Sequence, residues 1–526
     1  MAEYKGSSPQ LHKLISAIEL GLATDDLLST AGRGIEKESL RVTREGNLSQ
    51  KTHPISLGSP LTHPNITTDF SEAQLELITS VHNSPEALIE ELDKVHRFTY
   101  QHLESEILWT SSMPCDLVGD QDIPIGRYGN SNIALAKNIY RRGLGNRYGR
   151  LMQTISGIHY NFSLPKGFWK TYAEACSSKD DQKLRDQAYF ALIRNFRRYS
   201  WLLIYLFGAS PAVCKSFVRN NVGLESMDKA TLYLPYSTSL RMGKLGYQSE
   251  AQSSLHISYN SLENYNKSMR EALTTAYPPY KKIGIKKDGE YQQLNEALLQ
   301  IENEFYGSIR PKRRVASGER PLTALNARGV EYVEVRCLDL NPFLVNGIDV
   351  TQVKFLDLFL LFCLLTDSPK DSKTESASIQ YNQLRVVEQG RDTSTILRDG
   401  SSKKTILDWA AELLEAAKPI ASLLDKGRNR GYLEAWKEQK MKLAQPNLTP
   451  SGSIIAAMQG DHKSFLEFSL DQSKIASAHF EDFPLPHKEL MQEREIAKKS
   501  LMQQKMIESE ETESFEIFLN NYLSLP

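Results

Sequence analysis

The sequence predicts an α+β protein, read as one unit over 1–526, with its strands concentrated before residue 345 and a mostly helical region, 346–526, packed on them. Three observations lead there. Short segments of period 2 fall in the first two thirds, as where Ile158, Tyr160, Phe162 and Leu164 alternate with His159, Asn161 and Ser163. Long stretches of helical period stand between and after them. The two strongest loop signals, Ser308–Leu322 and Asp367–Ser378, are too short to be linkers between independent domains.

Taken in order, Arg33-Gly-Ile-Glu-Lys-Glu-Ser-Leu-Arg41 puts Glu36 and Glu38 two apart, so both carboxylates point the same way on an extended chain. Gln74 and Glu76 alternate with Leu75 and Leu77 in the next such segment. Ser84-Pro85-Glu86 supplies an N-cap, a proline at the first helical position and an acid in the first turn, which starts a helix running to about Trp109. The strand around His159 follows, then a helix from Asp181 to Phe207. In Gly329–Cys337, Val333 and Val335 face one way and Glu334 and Arg336 the other. Leu358–Leu365 reads as a buried helix, Ile406–Leu424 as a further helix, and His487–Leu523 as a charge-dense, solvated amphipathic helix with a break near Glu508–Ser514.

Composition excludes several functions. The 526 residues carry 63 Lys+Arg against 64 Asp+Glu, a net charge of −1 that gives no field to hold a polyanion. Five scattered cysteines without a Cys-x-x-Cys pair suit a reducing compartment. The start, MAEYKGSSPQLHK, lacks the apolar stretch of a signal peptide, and no run reaches the roughly 20 apolar residues of a membrane span. A cytoplasmic protein with neither nucleic-acid nor membrane partners is expected.

The polar strand faces carry the chemistry. A lone Glu-x-Glu is usually a solvated edge, and His159 alone is more often a satisfied histidine than a ligand. Together, Glu36, Glu38, Glu76, His159, Asn161, Glu334 and Arg336 suggest one shared polar concavity. Carboxylates gathered so closely repel unless cations sit among them. Oxygen donors with one imidazole suit Mg²⁺ or Mn²⁺, and such a site suits a polyphosphate substrate with an arginine at the reacting phosphorus. No G-x-x-x-x-G-K-S/T loop is present. Gly143-Leu-Gly145-Asn-Arg-Tyr-Gly149 has the wrong spacing for a dinucleotide fingerprint, and Arg310-Pro-Lys312-Arg313-Arg314 reads as a solvated loop.

Six segments in order, Arg33–Arg41 (RGIEKESLR), Leu61–Thr79 (LTHPNITTDFSEAQLELIT), Asn146–Leu164 (NRYGRLMQTISGIHYNFSL), Leu206–Pro211 (LFGASP), Tyr233–Arg241 (YLPYSTSLR) and Gly329–Pro342 (GVEYVEVRCLDLNP), resemble the glutamate–cysteine ligases of proteobacterial type. The resemblance begins near residue 14, is dense to about 365 and loosens afterwards. It implies a glutamine-synthetase-like antiparallel sheet curved into a funnel, with helices outside and the active-site strands within 14–345. The activity it implies is ATP-dependent joining of the L-glutamate γ-carboxylate to the amine of L-cysteine, the first step of glutathione synthesis. It also implies a monomer and feedback inhibition by glutathione.

Carried over residue by residue, the resemblance assigns magnesium to Glu36, Glu38, Asp69, Glu76, His159 and Glu334, and the transferring phosphate to Arg336. It assigns the cysteine pocket to Tyr140, Leu144, Gln153, Ile155, Arg241, Tyr247 and Tyr306, with Arg241 suited to a carboxylate. Asn161, sharing a strand face with His159, joins the substrate-binding set. Asp69 and the tyrosines rest on resemblance alone. One departure is Arg142, basic where the best-known members carry an acid. Three rivals stand beside this reading: a ligase of the same fold with another acceptor, an amino-acid or nucleotide sensor without turnover, and a metal-dependent phosphohydrolase.

Overall fold

The computed structural model describes residues 30–524 apart from 115, 219–222, 247–249, 254, 317 and 427–429. Its centre is a seven-stranded sheet built from β1 (Gly32–Thr43), β2 (Ile66–Thr68), β3 (Gln74–Ile78), β4 (Glu106–Leu108), β5 (Ile158–Ser163), β6 (Ile309–Lys312) and β7 (Tyr332–Leu338). The order is β6-β7-β5-β1-β3-β2, with β4 on the far end of β1, and every pairing is antiparallel.

Register sorts the side chains into two faces. Residues directly opposite each other share a face, so the pairs Glu36–His159, Glu38–Glu76 and Glu334–Asn161 gather the polar set on one side. Ile35, Leu75, Leu77, Ile158, Tyr160, Phe162, Val333 and Val335 line the other, and all are fully buried. Against that apolar face lie α1 (Pro85–Tyr100), α3 (Gln182–Phe207) and α4 (Val350–Leu365); α2 (Asn132–Tyr148) borders the polar side. Helix α4 is apolar all round because it is enclosed by its neighbours α1, α3, α6 (Ile406–Leu424) and α7 (Tyr432–Ala444).

One polar network crosses the buried layer. Arg33 of β1 donates through Nε to Asp357 of α4 at 2.7 Å, and through Nη1 to the carbonyls of Ala31 and Asn83. Tyr160 and Tyr432 donate to the same carboxylate at 2.6 and 3.1 Å. Sheet, α4 and α7 are thus pinned at one point.

The expected helices at 181–207 and 406–424 form, with Asp181 and Thr405 as N-caps. The C-terminal stretch breaks into α8 (His487–Glu510) and α9 (Phe515–Leu523), as its pattern predicts. Three boundaries differ. Helix α1 stops at Tyr100 rather than near Trp109: Glu104 takes φ 52°, and Glu106–Leu108 becomes strand β4, fixed by the buried Arg41–Glu106 pair at 2.7 Å. The Ser308–Leu322 stretch is not all loop, because Ile309–Lys312 forms the edge strand β6, where a proline without an N–H is tolerated. Within Asp367–Ser378, Ser372 already caps α5 (Lys373–Gln389), and the helical third also contains the hairpin Ile396–Asp399/Ser402–Thr405. The glycines at 143–149 lie in α2 and its C-cap, away from any phosphate loop.

Helix α8 docks on the sheet region through Ser500, whose Oγ accepts from Ser59 N and whose carbonyl accepts from Thr62 Oγ1. Gly58, at φ 86°, is required there because a Cβ would sit 2.5 Å from Ser500 Oγ. Two buried histidines belong to this layer. Burial, with Arg41 and His63 adding to it, pushes His53 down to about 3, and burial pushes His63 down to about 4. Above pH 6.5 both rings are neutral folded or unfolded; below it the unfolded chain takes up protons that the folded chain refuses. Stability should therefore fall between pH 6.5 and 4, by up to about 2.7 kcal/mol per pH unit for two rings. Urea unfolding at pH 7 and 5 should show a slope that is shallower in His53→Gln than in wild type by up to about 1.4 kcal/mol per pH unit; an unchanged slope in the variant would contradict the assignment.

Candidate active site

His159 is the hub of the polar face. Its Nδ1 lies 3.3 Å from Glu36 Oε2 and 3.9 Å from Glu334 Oε1, and its Nε2 lies 3.7 Å from Glu38 Oε1. Asn161 donates to the second oxygen of Glu36 at 2.8 Å, and the main-chain N–H of Gly157 donates to Glu38 at 2.8 Å. Donor atoms of Glu36, Glu76 and His159 all fall within 4.8 Å of one another. Asp69, in the bend between β2 and β3, completes the group from outside the strands, close enough to press on both Glu38 and Glu76.

The charges divide into two ends. At the β6–β7 end Lys312 and Arg336 flank Glu334 at 3.3 and 3.4 Å. There burial works against ionisation, but Lys312, Arg336 and His159 outweigh it and hold Glu334 well below the carboxylate range. Glu36 is also held low, its bond to His159 overcoming burial. At the β3 end the opposite holds. Burial, then Asp69, pushes Glu38 up to about 8, against Arg241 and Arg336; burial with Glu36, Asp69 and Glu38 pushes Glu76 far above its usual range. Carboxylates that cannot all ionise side by side are matched to a divalent cation, and hard oxygens with one imidazole fit Mg²⁺ or Mn²⁺.

Beside Arg336 opens a cavity of about 250 Å³, bounded near the face by His159, Arg241 and Tyr306 and further out by His256, Gln380 and Gln383. Arg241 is fully buried. Its Nη2 donates to the Arg336 carbonyl at 3.0 Å, and Asp339 lies 3.6 Å from its Nη1. Asp339 also accepts from Ala209 N, Ser210 Oγ and Ser239 Oγ. Three of the motif segments, 206–211, 233–241 and 329–342, thus converge on one carboxylate that sets Arg241. Gly157 packs flat on that guanidinium, and a Cβ there would collide with it.

Tyr140 and Leu144 come from α2, and Gln153 and Ile155 from the turn beyond it. Gln153 donates to the Tyr306 hydroxyl at 3.2 Å, and Tyr140 is close enough to feel both Tyr306 and Glu304. Leu144 and Ile155 are buried within the core. Tyr247 lies outside the described residues. Arg142 points away from this group, bonding the Tyr291 carbonyl at 2.8 Å and Glu290 at 3.3 Å. Sequence reasoning missed Lys312; the available signal was the alternation of Arg310 and Lys312 around Pro311, which puts Arg310 opposite Glu334.

This fold is also that of a solved Francisella tularensis glutamate–cysteine ligase in complex with AMP, at TM-score 0.89 and 38% identity over 95% of this chain and 98% of that one. A bifunctional glutathione synthetase from Pasteurella multocida shares the fold at TM-score 0.69 and 23% identity, covering 90% of this chain and 55% of that one. Curated relatives are ligases: glutamate–cysteine ligase of Pseudomonas entomophila is 48% identical over 94% of each chain, and that of Pseudomonas putida 49% over 94% of this chain and 95% of its own. A family model described as glutamate–cysteine ligase matches residues 20–386, and the chain belongs to that family.

Proposed function

We propose that this chain is one catalytic unit that joins the γ-carboxylate of L-glutamate to the amine of L-cysteine at the expense of ATP, giving γ-glutamylcysteine, ADP and phosphate, the first step of glutathione synthesis. The observation that carries this is near-end-to-end similarity to glutamate–cysteine ligases, and the AMP in the Francisella relative supports a nucleotide substrate. In the reading, the γ-carboxylate attacks the γ-phosphorus to form γ-glutamyl phosphate, and the cysteine amine then displaces phosphate. Arg336, beside the cavity, meets the charge that develops at phosphorus. Lys312 keeps Glu334 ionised. Tyr140, Leu144, Gln153, Ile155, Asn161, Tyr247 and Tyr306 hold the amino acids, with Arg241 as a fixed floor. Glu36, Glu38, Asp69, Glu76, His159 and Glu334 would hold Mg²⁺ or Mn²⁺, which when bound neutralises phosphate and carboxylate oxygens. Glutathione, sharing the γ-glutamyl and cysteinyl groups, would inhibit at the same pockets. A monomer in the cytoplasm completes the reading; no helix among the described residues is long and apolar enough to cross a membrane.

Purified protein with ATP, Mg²⁺, glutamate and cysteine should yield γ-glutamylcysteine and ADP in equal amounts by mass spectrometry, and neither without both amino acids. ADP formed without either amino acid would point to the phosphohydrolase. Calorimetric titration of Mn²⁺ should show binding that His159→Ala weakens at least tenfold, about the lower figure for removing even an outer-shell partner. Equal affinities would remove His159 from the ligand set.

A further inference from the structure

A second cavity, of about 360 Å³, opens between α3, α5, α6 and the hairpin that follows α5. Its size falls within the roughly 300–1,000 Å³ of small-molecule sites. Helix α5 stands between it and the cavity beside Arg336. Ser376, Gln380 and Gln383 line the catalytic side, Glu375, Ser378 and Asn382 line the other, and Ile379 borders both. The second cavity has an aromatic wall. Trp409, 5% exposed, packs on Trp201 with 5.0 Å between ring centroids and meets Tyr199 edge-on at 6.4 Å.

The polar groups around this cavity divide into engaged and unengaged. Arg198 gives Nε and Nη2 to the two oxygens of Glu375 at 2.5 and 3.0 Å. Asp399 is paired with Lys404 at 3.0 Å. Asn382 spends its side-chain amide on the Arg398 main chain, donating to the carbonyl and accepting from the N–H, at 2.8 Å each. Three donors remain. The Trp409 indole N–H, the Tyr199 hydroxyl and the Arg398 guanidinium make no hydrogen bond and no ion pair among the described residues. The guanidinium lies 3.8 Å from the centroid of the Tyr381 ring, which holds it without taking its N–H groups. No lining carboxylate or side-chain amide oxygen is left over to receive them.

This imbalance selects the ligand. A cation would find no free carboxylate, and a wholly apolar molecule would leave a buried indole N–H without an acceptor. A bare inorganic anion would leave the aromatic wall uncovered. We propose that the cavity is a second ligand site that takes an aromatic carboxylate, its ring against Trp409 and Ile379 and its charge on Arg398 and the neighbouring free donors. Such an acid sits beside the active site without entering it. Helix α5 ties the two together, since Gln383 donates to the Met242 carbonyl at 3.0 Å and the Val386 carbonyl accepts from Thr238 Oγ1 at 2.9 Å. The segment so held carries Arg241.

The test is calorimetric titration of the full-length protein with indole-3-acetate and phenylacetate, and with indole-3-acetamide, which keeps the ring but not the charge. An acid should bind with a Kd of about 1 mM or tighter, and the amide at least about tenfold more weakly. Arg398→Gln, at an exposed side chain, should weaken the acid about 10- to 100-fold, the worth of a charge-assisted hydrogen bond. Ser378→Trp, which fills the cavity from α5, should abolish binding. Saturating ATP, glutamate and glutathione should leave one acid bound per chain. Competition by any of these would place the acid in the catalytic cavity and overturn the proposal. Failure of both acids to bind wild-type protein overturns it without any variant, as does equal affinity for indole-3-acetate and its amide.

Discussion

Arg336→Ala is expected to bind ATP, glutamate and cysteine within a few-fold of wild type yet turn over about 10²–10³-fold more slowly, the usual cost of losing one preorganised donor to developing charge. The expectation follows from where the guanidinium stands. Glu334, 3.4 Å away, orients it without enclosing it, since its side chain keeps 20% of its surface exposed while that of Glu334 keeps 1%. It borders the cavity together with His159 and Arg241. Arg336→Lys keeps the charge but not the planar fork, so its defect should be smaller and still clear. Steady-state kinetics with each substrate varied separates the two effects; a fall confined to KM, or near-normal turnover, would remove Arg336 from phosphoryl transfer.

Asp357→Ala should cost about 3–5 kcal/mol of stability, because it strips a buried guanidinium of the carboxylate it is paired with. Arg33 and Asp357 are 1% and 0% exposed, and the two carbonyls that also accept from Arg33 carry no full charge. The tyrosine hydroxyls of Tyr160 and Tyr432 lose an acceptor in the same step. Replacing both partners, as in Arg33→Met with Asp357→Leu, should cost much less than the single change, since no orphaned charge remains. Urea unfolding of the variants reads this directly; a loss below about 1 kcal/mol for Asp357→Ala would mean the network is not a principal tie.

Much of the site was legible because strand period fixes which side chains share a face. Glu36 with Glu38, His159 with Asn161, and Glu334 were placed together by alternation alone, and the register brings them together. What stayed hidden obeys no period. Asp69 reaches the acids from a bend, where alternation predicts nothing. The β6 edge strand was concealed by Pro311 and its basic neighbours, which read as loop in sequence and are allowed only at a sheet edge. The end of α1 at Tyr100 was missed because Leu103 continued the apolar spacing while Glu104 left the helical region.

The Arg33–Asp357 pair also sets a clock on biosynthesis. Its partners are 324 residues apart, which at roughly 5–20 residues per second is about 15–65 s of translation. During that interval β1 can pair with β3, whose strand follows closely, but its guanidinium has no counter-charge to lie against. Strand β7, which finishes the polar face, emerges only shortly before Asp357. The sheet therefore consolidates late, with both of its faces completed near the same moment of synthesis. Early folding of the N-terminal strands alone would leave the guanidinium on a face not yet covered, since the helix that covers it also brings its counter-charge.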